Sequence, residues 1–241
     1  VFELIVIGVV VIFVVNLAIT HGLRVSALRR RARQGPEPVT ALPSVTVIRP
    51  VKGADVEQDE NFRAALDTGY AGDIETVFVF EDDQDEGVAY AQHAIAEHEQ
   101  AGGHGRARIL YSGARPEGRS GKIHNMIAGE AEATGEFIVF GDSDSRPDRQ
   151  VLTNLIEHLV QDDTAGAAFA PAITPNKPRT AGDVGHNVIL NAMLVATMES
   201  AAGKDRENAF LMGQMMAFRK SALDAIGGVK CADGQLVDDM F

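Results

Sequence analysis

Short apolar runs separated by polar, glycine-rich or proline-rich stretches divide the chain into alternating strand and helix candidates. Val45-Thr46-Val47-Ile48 reads as a buried strand, stopped by Pro50 and Gly53. Residues 75–80, 107–111 and 136–140 repeat the pattern, and 165–170 is a further strand candidate. Residues 59–66, 87–99, 122–133 and 151–160 read as helices; the last carries Leu152, Leu155, Ile156 and Leu159 at helical spacing. Residues 171–180 hold three prolines and read as a loop. Residues 184–198 form a long apolar helix candidate, either a core helix or one whose face lies near a bilayer or a lipid acceptor. The alternation predicts an α/β, Rossmann-like fold with a mostly parallel sheet and helices on both faces. Ligands of such sheets bind outside the carboxyl ends of the strands.

The N-terminus has a different pattern. Residues 1–20 are almost entirely apolar, and at 1.5 Å rise per residue they reach about 30 Å, the thickness of a bilayer's hydrocarbon core. Arg24, Arg29, Arg30, Arg31 and Arg33 follow directly. A signal peptide would carry its charge before a shorter apolar core, and a buried soluble helix would keep a polar face. The expectation is one transmembrane helix over 1–23, with the arginines on the cytoplasmic side. Residues 24–44, with Pro36, Pro38 and Pro43, are a basic juxtamembrane segment and linker; residues 45–241 are the folded domain. The chain begins without Met and ends at Phe241, so it reads as a fragment cut at both ends.

Composition narrows the function classes. A 241-residue chain with 45% hydrophobic residues can bury a sizeable core. Its formal net charge of -12 argues against nucleic acid as the main partner, but a bound cation can still invert the local field for a phosphate ligand. The single cysteine, Cys231, allows no internal disulfide and reads as a small core residue.

The chemistry lies in acids that follow strands. Asp142-Ser143-Asp144 comes after Phe137-Ile138-Val139-Phe140. Positions i and i+2 of an extended segment point the same way, so the two carboxylates can converge on Mg²⁺ or Mn²⁺. Such a cation would offset the charge growing on a departing diphosphate. Glu81-Asp82-Asp83 follows Val77-Phe78-Val79-Phe80, which makes Asp82 a candidate acceptor for the base or ribose of a nucleotide; Asp85 and Glu86 read as solvated loop acids. Ser120-Gly121-Lys122-Ile123-His124-Asn125 places Lys122 at a helix start, where backbone N–H groups suit an anion. It is not a P-loop, since Pro116 stands where Gly is needed and Ile123 follows the lysine. His124 reads as structural. Asp238-Asp239 can be a helix cap or, in an inverting transfer, the base that takes the proton of the attacking hydroxyl.

Taken in order, these segments resemble the ceramide glucosyltransferase group of the family-2 glycosyltransferases, whose fold is termed GT-A. Val45-Thr46-Val47-Ile48-Arg49-Pro50-Val51-Lys52-Gly53 looks like the group's first strand and its Pro-x-Lys-Gly turn. Glu81-Asp82, Lys122 with Asn125, and Asp142-Ser143-Asp144 look like its next motifs; Gly213, Arg219-Lys220 and Gly227-Gly228 match the stretch before the third acidic motif. Asp238-Asp239-Met240-Phe241 looks like its Glu-Asp-aromatic-Phe segment. The resemblance implies a UDP-sugar site at Pro50, Asp82, Lys122, Asn125 and Asp142, a metal held by Asp142 and Asp144, and Asp239 as catalytic base. It also implies glucose as the sugar and a ceramide-like lipid as acceptor. The group's Gln/Arg-x-x-Arg-Trp motif is absent, and the chain has no Trp at all, so it reads as truncated before that motif. Close alternatives change the acceptor to a hopanoid or a polysaccharide. A different class is a non-catalytic nucleotide-sugar-binding subunit. A nucleotidyltransferase would want a Gly-rich loop after the first strand, and residues 49–53 are too poor in glycine.

Overall fold

The structure, a computed structural model, describes residues 2–34, 39, 41–173, 178–194, 211 and 213–234. The chain forms two compact units, one of residues 1–38 with 171–209 and the other of residues 39–170 with 210–241.

The larger unit is built on a six-stranded sheet in the order β3-β2-β1-β4-β6-β5. β1 (Val45–Pro50), β2 (Ile74–Phe80), β3 (Arg106–Tyr111) and β4 (Phe137–Gly141) are mutually parallel, and β6 (Met215–Arg219) runs antiparallel to both β4 and β5 (Ala167–Phe169). This is the mostly parallel α/β sheet that the strand–helix alternation predicts. The helices are α2 (Gln58–Leu66), α3 (Gly87–Gln100), α4 (Gly121–Ala131), α5 (Val151–Gln161) and the short α7 (Lys220–Ala225).

Burial on both faces explains the apolar runs. In β4, Phe137 and Val139 face one core with Leu152, Leu155, Ile156 and Leu159 of α5. Ile138 and Phe140 face the other, with Ile123 and Met126 of α4. Phe78 and Phe80 of β2 pack with Phe62 of α2 and Val88 and Ala91 of α3. A strand covered on both faces needs no polar alternation.

β6 and α7 escape the sequence pattern. Met215-Met216-Ala217-Phe218 is short, non-alternating and poor in β-branched residues, so only its place between β4 and β5 makes it a strand. Cys231 is exposed on a surface 3₁₀ turn (Val229–Ala232) rather than in the core.

The smaller unit contains α1 (Phe2–Gln34), which carries the stretch Leu4–Leu23, long and apolar enough to cross a membrane. Its apolar side chains are open, with Leu4 and Ile12 70% exposed or more. The candidate helix at 184–198 takes another form. α6 (Ala181–Asn187) starts at a Thr180–Asp183 capping box and passes into a π-helical stretch, Val188–Leu194, that packs on α1. No residue of α6 is buried, and Val184 and Ile189 are exposed; residues 195–198 of that candidate lie outside the described residues.

Candidate active site at the carboxyl edge of the sheet

The strand order switches sides at β1: β2 and β3 lie on one side, β4 on the other. A crevice outside the carboxyl ends is expected there. The loops after β1, β2 and β4 all leave that edge, so residues 51–57, 81–86 and 142–150 are neighbours in space.

Helix α4 ties these loops together. Asn125 is 5% exposed; its Nδ2 donates to Val51 O (3.2 Å) and Val79 O (3.0 Å), and its Oδ1 accepts from Ser112 Oγ (2.7 Å). The amide thus bridges the ends of β1 and β2, and its hydrogen bonds go to the protein itself. One turn earlier, Lys122 Nζ lies 3.0 Å from Asp142 Oδ1. Ser120, at the N-cap of α4, makes no side-chain capping bond, so no side chain of its own covers the first-turn amides.

Asp142 follows β4 directly and its side chain is 26% exposed. Burial pushes its carboxyl above the usual Asp range; Lys122 and Arg49 pull the other way, while Asp144 adds to the rise. Asp144 is exposed two residues on. Residues 55–61 brace the loop that carries both acids. Gln58, itself buried, reaches Ser143 O at 3.5 Å, and Ser143 Oγ reaches Asp55 Oδ2 at 3.4 Å. Arg146 donates to Asn61 Oδ1 (2.7 Å) and Glu57 Oε2 (2.6 Å). Glu57 holds a left-handed backbone, φ 62°, at the start of α2.

Under the same loop lies Arg49, wholly buried at the end of β1. Its Nη1 donates to Ser145 Oγ (3.2 Å) and its Nη2 to Ser145 O (2.8 Å). Burial lowers its pKa to about 10, against the pull of Asp142 and Asp144. Pro50, the next residue, is buried and pairs in register with Val79.

The loop after β2 divides its acids. Asp82 is exposed, and its Oδ1 accepts from Gln84 N at 2.9 Å, a local turn. Asp85 is not the solvated acid that the sequence reading expects. Both its oxygens accept from Gly53 N (3.0 and 2.9 Å), and Oδ1 also from Gly87 N (2.8 Å). It pins the Pro-x-Lys-Gly turn onto the start of α3. Gly53 sits at φ 71°, and a Cβ on Gly87 would lie 2.6 Å from Gly53 O, so both glycines are required. His124 is held by Gly113 O (3.0 Å) at Nε2.

Of the predicted site residues, Pro50, Lys122, Asn125, Asp142 and Asp144 lie at this carboxyl edge of the sheet, and Asp82 is on the loop after β2. Asp238 and Asp239 lie outside the described residues. The segment leading to them is anchored: Arg119, just before α4, makes two bonds to Asp233 Oδ2 (2.9 and 2.7 Å), and Glu130 of α4 accepts from Val229 N (2.9 Å). Arg49, Ser145 and Gln58 carry roles that no sequence motif assigns them. A charged residue at the end of an otherwise apolar strand was the available signal for Arg49.

Known proteins share sequence and fold with the chain. Over 237 residues the chain is 25% identical to ceramide glucosyltransferase 1 of Caenorhabditis elegans and 24% identical to ceramide glucosyltransferase 3 of the same organism. Each match covers 95% of this chain but 47% and 48% of the relative, so the chain spans about half their length. Among solved structures, a mannosyltransferase from Pyrobaculum calidifontis, in complex with GDP-Man and Mn²⁺, superposes with a TM-score of 0.51 at 21% identity. That match covers 89% of this chain and 57% of the other, and shows a shared fold. The family described as glycosyl transferase family 21 matches residues 4–241. With the ordered motifs, the parallel sheet and the acids at its carboxyl edge, this match establishes that the chain belongs to glycosyl transferase family 21.

Proposed function

We propose that the protein is the donor-binding part of a membrane-anchored, inverting glycosyltransferase. It moves a hexose, glucose by resemblance, from a UDP-sugar to the hydroxyl of a ceramide-like lipid. The observation that carries this reading is the Lys122–Asp142 contact at the carboxyl edge, with Asp144 two residues on and the first turn of α4 beside it. Cation, acid pair and backbone amides are the groups that a nucleoside diphosphate and its counter-ion require.

The donor set fits a divalent cation. Asp142 and Asp144 offer hard oxygen ligands, which suit Mg²⁺ or Mn²⁺. Among the described residues no three Asp, Glu, His or Cys side chains converge. Asp142 and Asp144 would hold the cation, and one or two protein carboxylates are common for Mg²⁺ sites that also use substrate phosphates. When bound, the cation supplies charge neutralisation to the departing UDP.

The chain's own residues do the rest. Lys122 pairs with Asp142 and lies within reach of a phosphate oxygen beside it. Pro50 and Asp82 line the nucleotide side, and Asn125 clamps the ends of β1 and β2 beside them. Asp239 takes the acceptor's hydroxyl proton as its oxygen bonds to the sugar C1 and the C1–O bond to UDP breaks. Asp239 lies six residues past Asp233, a reach of at most about 20 Å from the Arg119 anchor.

The acceptor reading draws on the smaller unit. α1 would span the bilayer, its arginines on the cytoplasmic side. The exposed apolar residues of α6 and the π-helical stretch, packed on α1, would meet the lipid surface.

Full-length protein given labelled UDP-glucose, membrane lipids and Mn²⁺ should yield a labelled glycolipid. Asp239→Asn should abolish transfer while UDP-sugar binding survives, a loss of at least about 10²-fold for a missing base. Metal-dependent nucleotide binding with no product from any lipid would favour a non-catalytic subunit. Product on a hopanoid or a glycan would keep the reaction and change the acceptor.

A further inference from the structure

A guanidinium buried from water is costly unless its surroundings compensate. Arg49 is such a group: 0% exposed, on the same face of β1 as Val45 and Val47, with no carboxylate within ion-pair distance among the described residues. Its Nε has no hydrogen-bond partner there either. A neutral aliphatic residue would fill the space at lower cost. The position must therefore use something that only the guanidinium provides.

Its contacts indicate what that is. The planar fork grips a single residue, Ser145, by both hydroxyl and carbonyl. Ser145 in turn closes the acidic turn on itself: its N–H donates to Asp142 O at 3.1 Å and its Oγ to the same oxygen at 2.8 Å. Gly141 makes room for this arrangement, since a Cβ there would lie 2.9 Å from Arg49 Nη1. The connection is continuous from the end of β1, through Ser145, to the backbone of Asp142.

We infer that Arg49 is a positioning residue that fixes the Asp142–Ser145 turn from beneath, through Ser145, so that Asp142 and Asp144 are pre-set to receive a divalent cation. This rests on the reading of those two aspartates as cation ligands. Arg49 touches neither substrate nor metal. Its fork holds the turn that carries both carboxylates. Lysine keeps the charge but is a compact point donor and cannot reproduce a planar two-pronged grip.

The test uses the full chain and two variants, Arg49→Lys and Ser145→Ala. The second leaves the buried cation in place and guards against a folding defect in the first. Amide exchange across residues 142–145, read by mass spectrometry, should speed up about tenfold in both, with β1 and β4 still protected. Mn²⁺ affinity in the presence of UDP, read by electron paramagnetic resonance, should weaken by a similar factor. Unchanged exchange in both variants would overturn the inference. So would faster exchange with wild-type Mn²⁺ affinity, because the turn's order would then be irrelevant to the ion. Wild-type protein that takes up no Mn²⁺ with UDP would overturn the cation-ligand reading itself and this inference with it, an outcome distinct from variants that match a binding wild type.

Discussion

At the scale of single residues, the crevice is organised by buried polar groups whose hydrogen bonds are nearly all internal. Asn125 is the clearest case. Replacing it with Leu removes the side-chain donor to Val51 O in a dry place and leaves Val79 O with the Val51 N–H alone, which should cost about 2–3 kcal/mol. Thermal melts should show a Tm drop of about 4–12 °C; a silent substitution would mean the amide does not clamp the strands. Glu130 gives a prediction with pH. Burial raises its carboxyl above the ordinary Glu range, with the Val229 N–H bond working against the rise. A raised folded-state pKa disfavours the ionised form on folding. Wild-type stability should therefore fall as pH climbs from about 4.3 through the raised value, then level off. Glu130→Gln keeps an acceptor for Val229 and loses the charge. Its Tm should match wild type at the acid end and exceed it at neutral pH. A constant difference across that range would contradict the assignment. The sequence shows Asn125 and Lys122 only as part of an ordered motif. That Asn125 bonds to two strand ends, and that Asp85 is captured by Gly53 rather than solvated, depends on which backbone groups arrive beside them.

At the scale of elements, α4 presses unusually close to the sheet. A Cβ on Gly129 would lie 2.5 Å from Ile48 Cγ2 and 3.2 Å from Val79 Cγ2. Gly129→Ala should therefore destabilise by about 1–3 kcal/mol through overpacking, outweighing the gain of up to about 1 kcal/mol in helix propensity. Urea titration should find Gly129→Ala combined with Ile48→Ala less destabilised than the sum of the two single variants, since each relieves the other's misfit. Strict additivity would argue that the helix simply moves away. The close approach matters for the site because α4 carries Lys122 and Asn125 at one end and Glu130 at the other. The parallel strands and their covering helices are readable from sequence, because a strand buried on both faces is a continuous apolar run bounded by breakers. β6 is not, because five residues rich in Met and Ala have no strand signature apart from their neighbours. The 184–198 region has the composition of a core helix, yet its described part is an exposed α6 and a π-helical stretch, because the element it packs on is α1.

At the scale of the whole molecule, the prediction concerns the membrane. Leu4–Leu23 exposes most of its apolar side chains, which water would penalise and lipid would not. The chain should stay with the membrane pellet after alkaline extraction. Val10→Lys with Val14→Lys should move it to the supernatant, since each buried charge opposes insertion by about 2.5–3.5 kcal/mol. Retention of the double variant would show that another segment holds the protein to lipid. The sequence by itself determined the α/β class, the apolar N-terminal span and the identity of the acids that follow strands, because each is written in local periodicity and composition. Only the tertiary structure decided which of those acids meet. The strand order brings the ends of β1, β2 and β4 to one edge, and a buried Arg49 beneath Ser145 organises the Asp142 turn. Those contacts join residues nearly a hundred positions apart, and no local pattern encodes a partner at that distance.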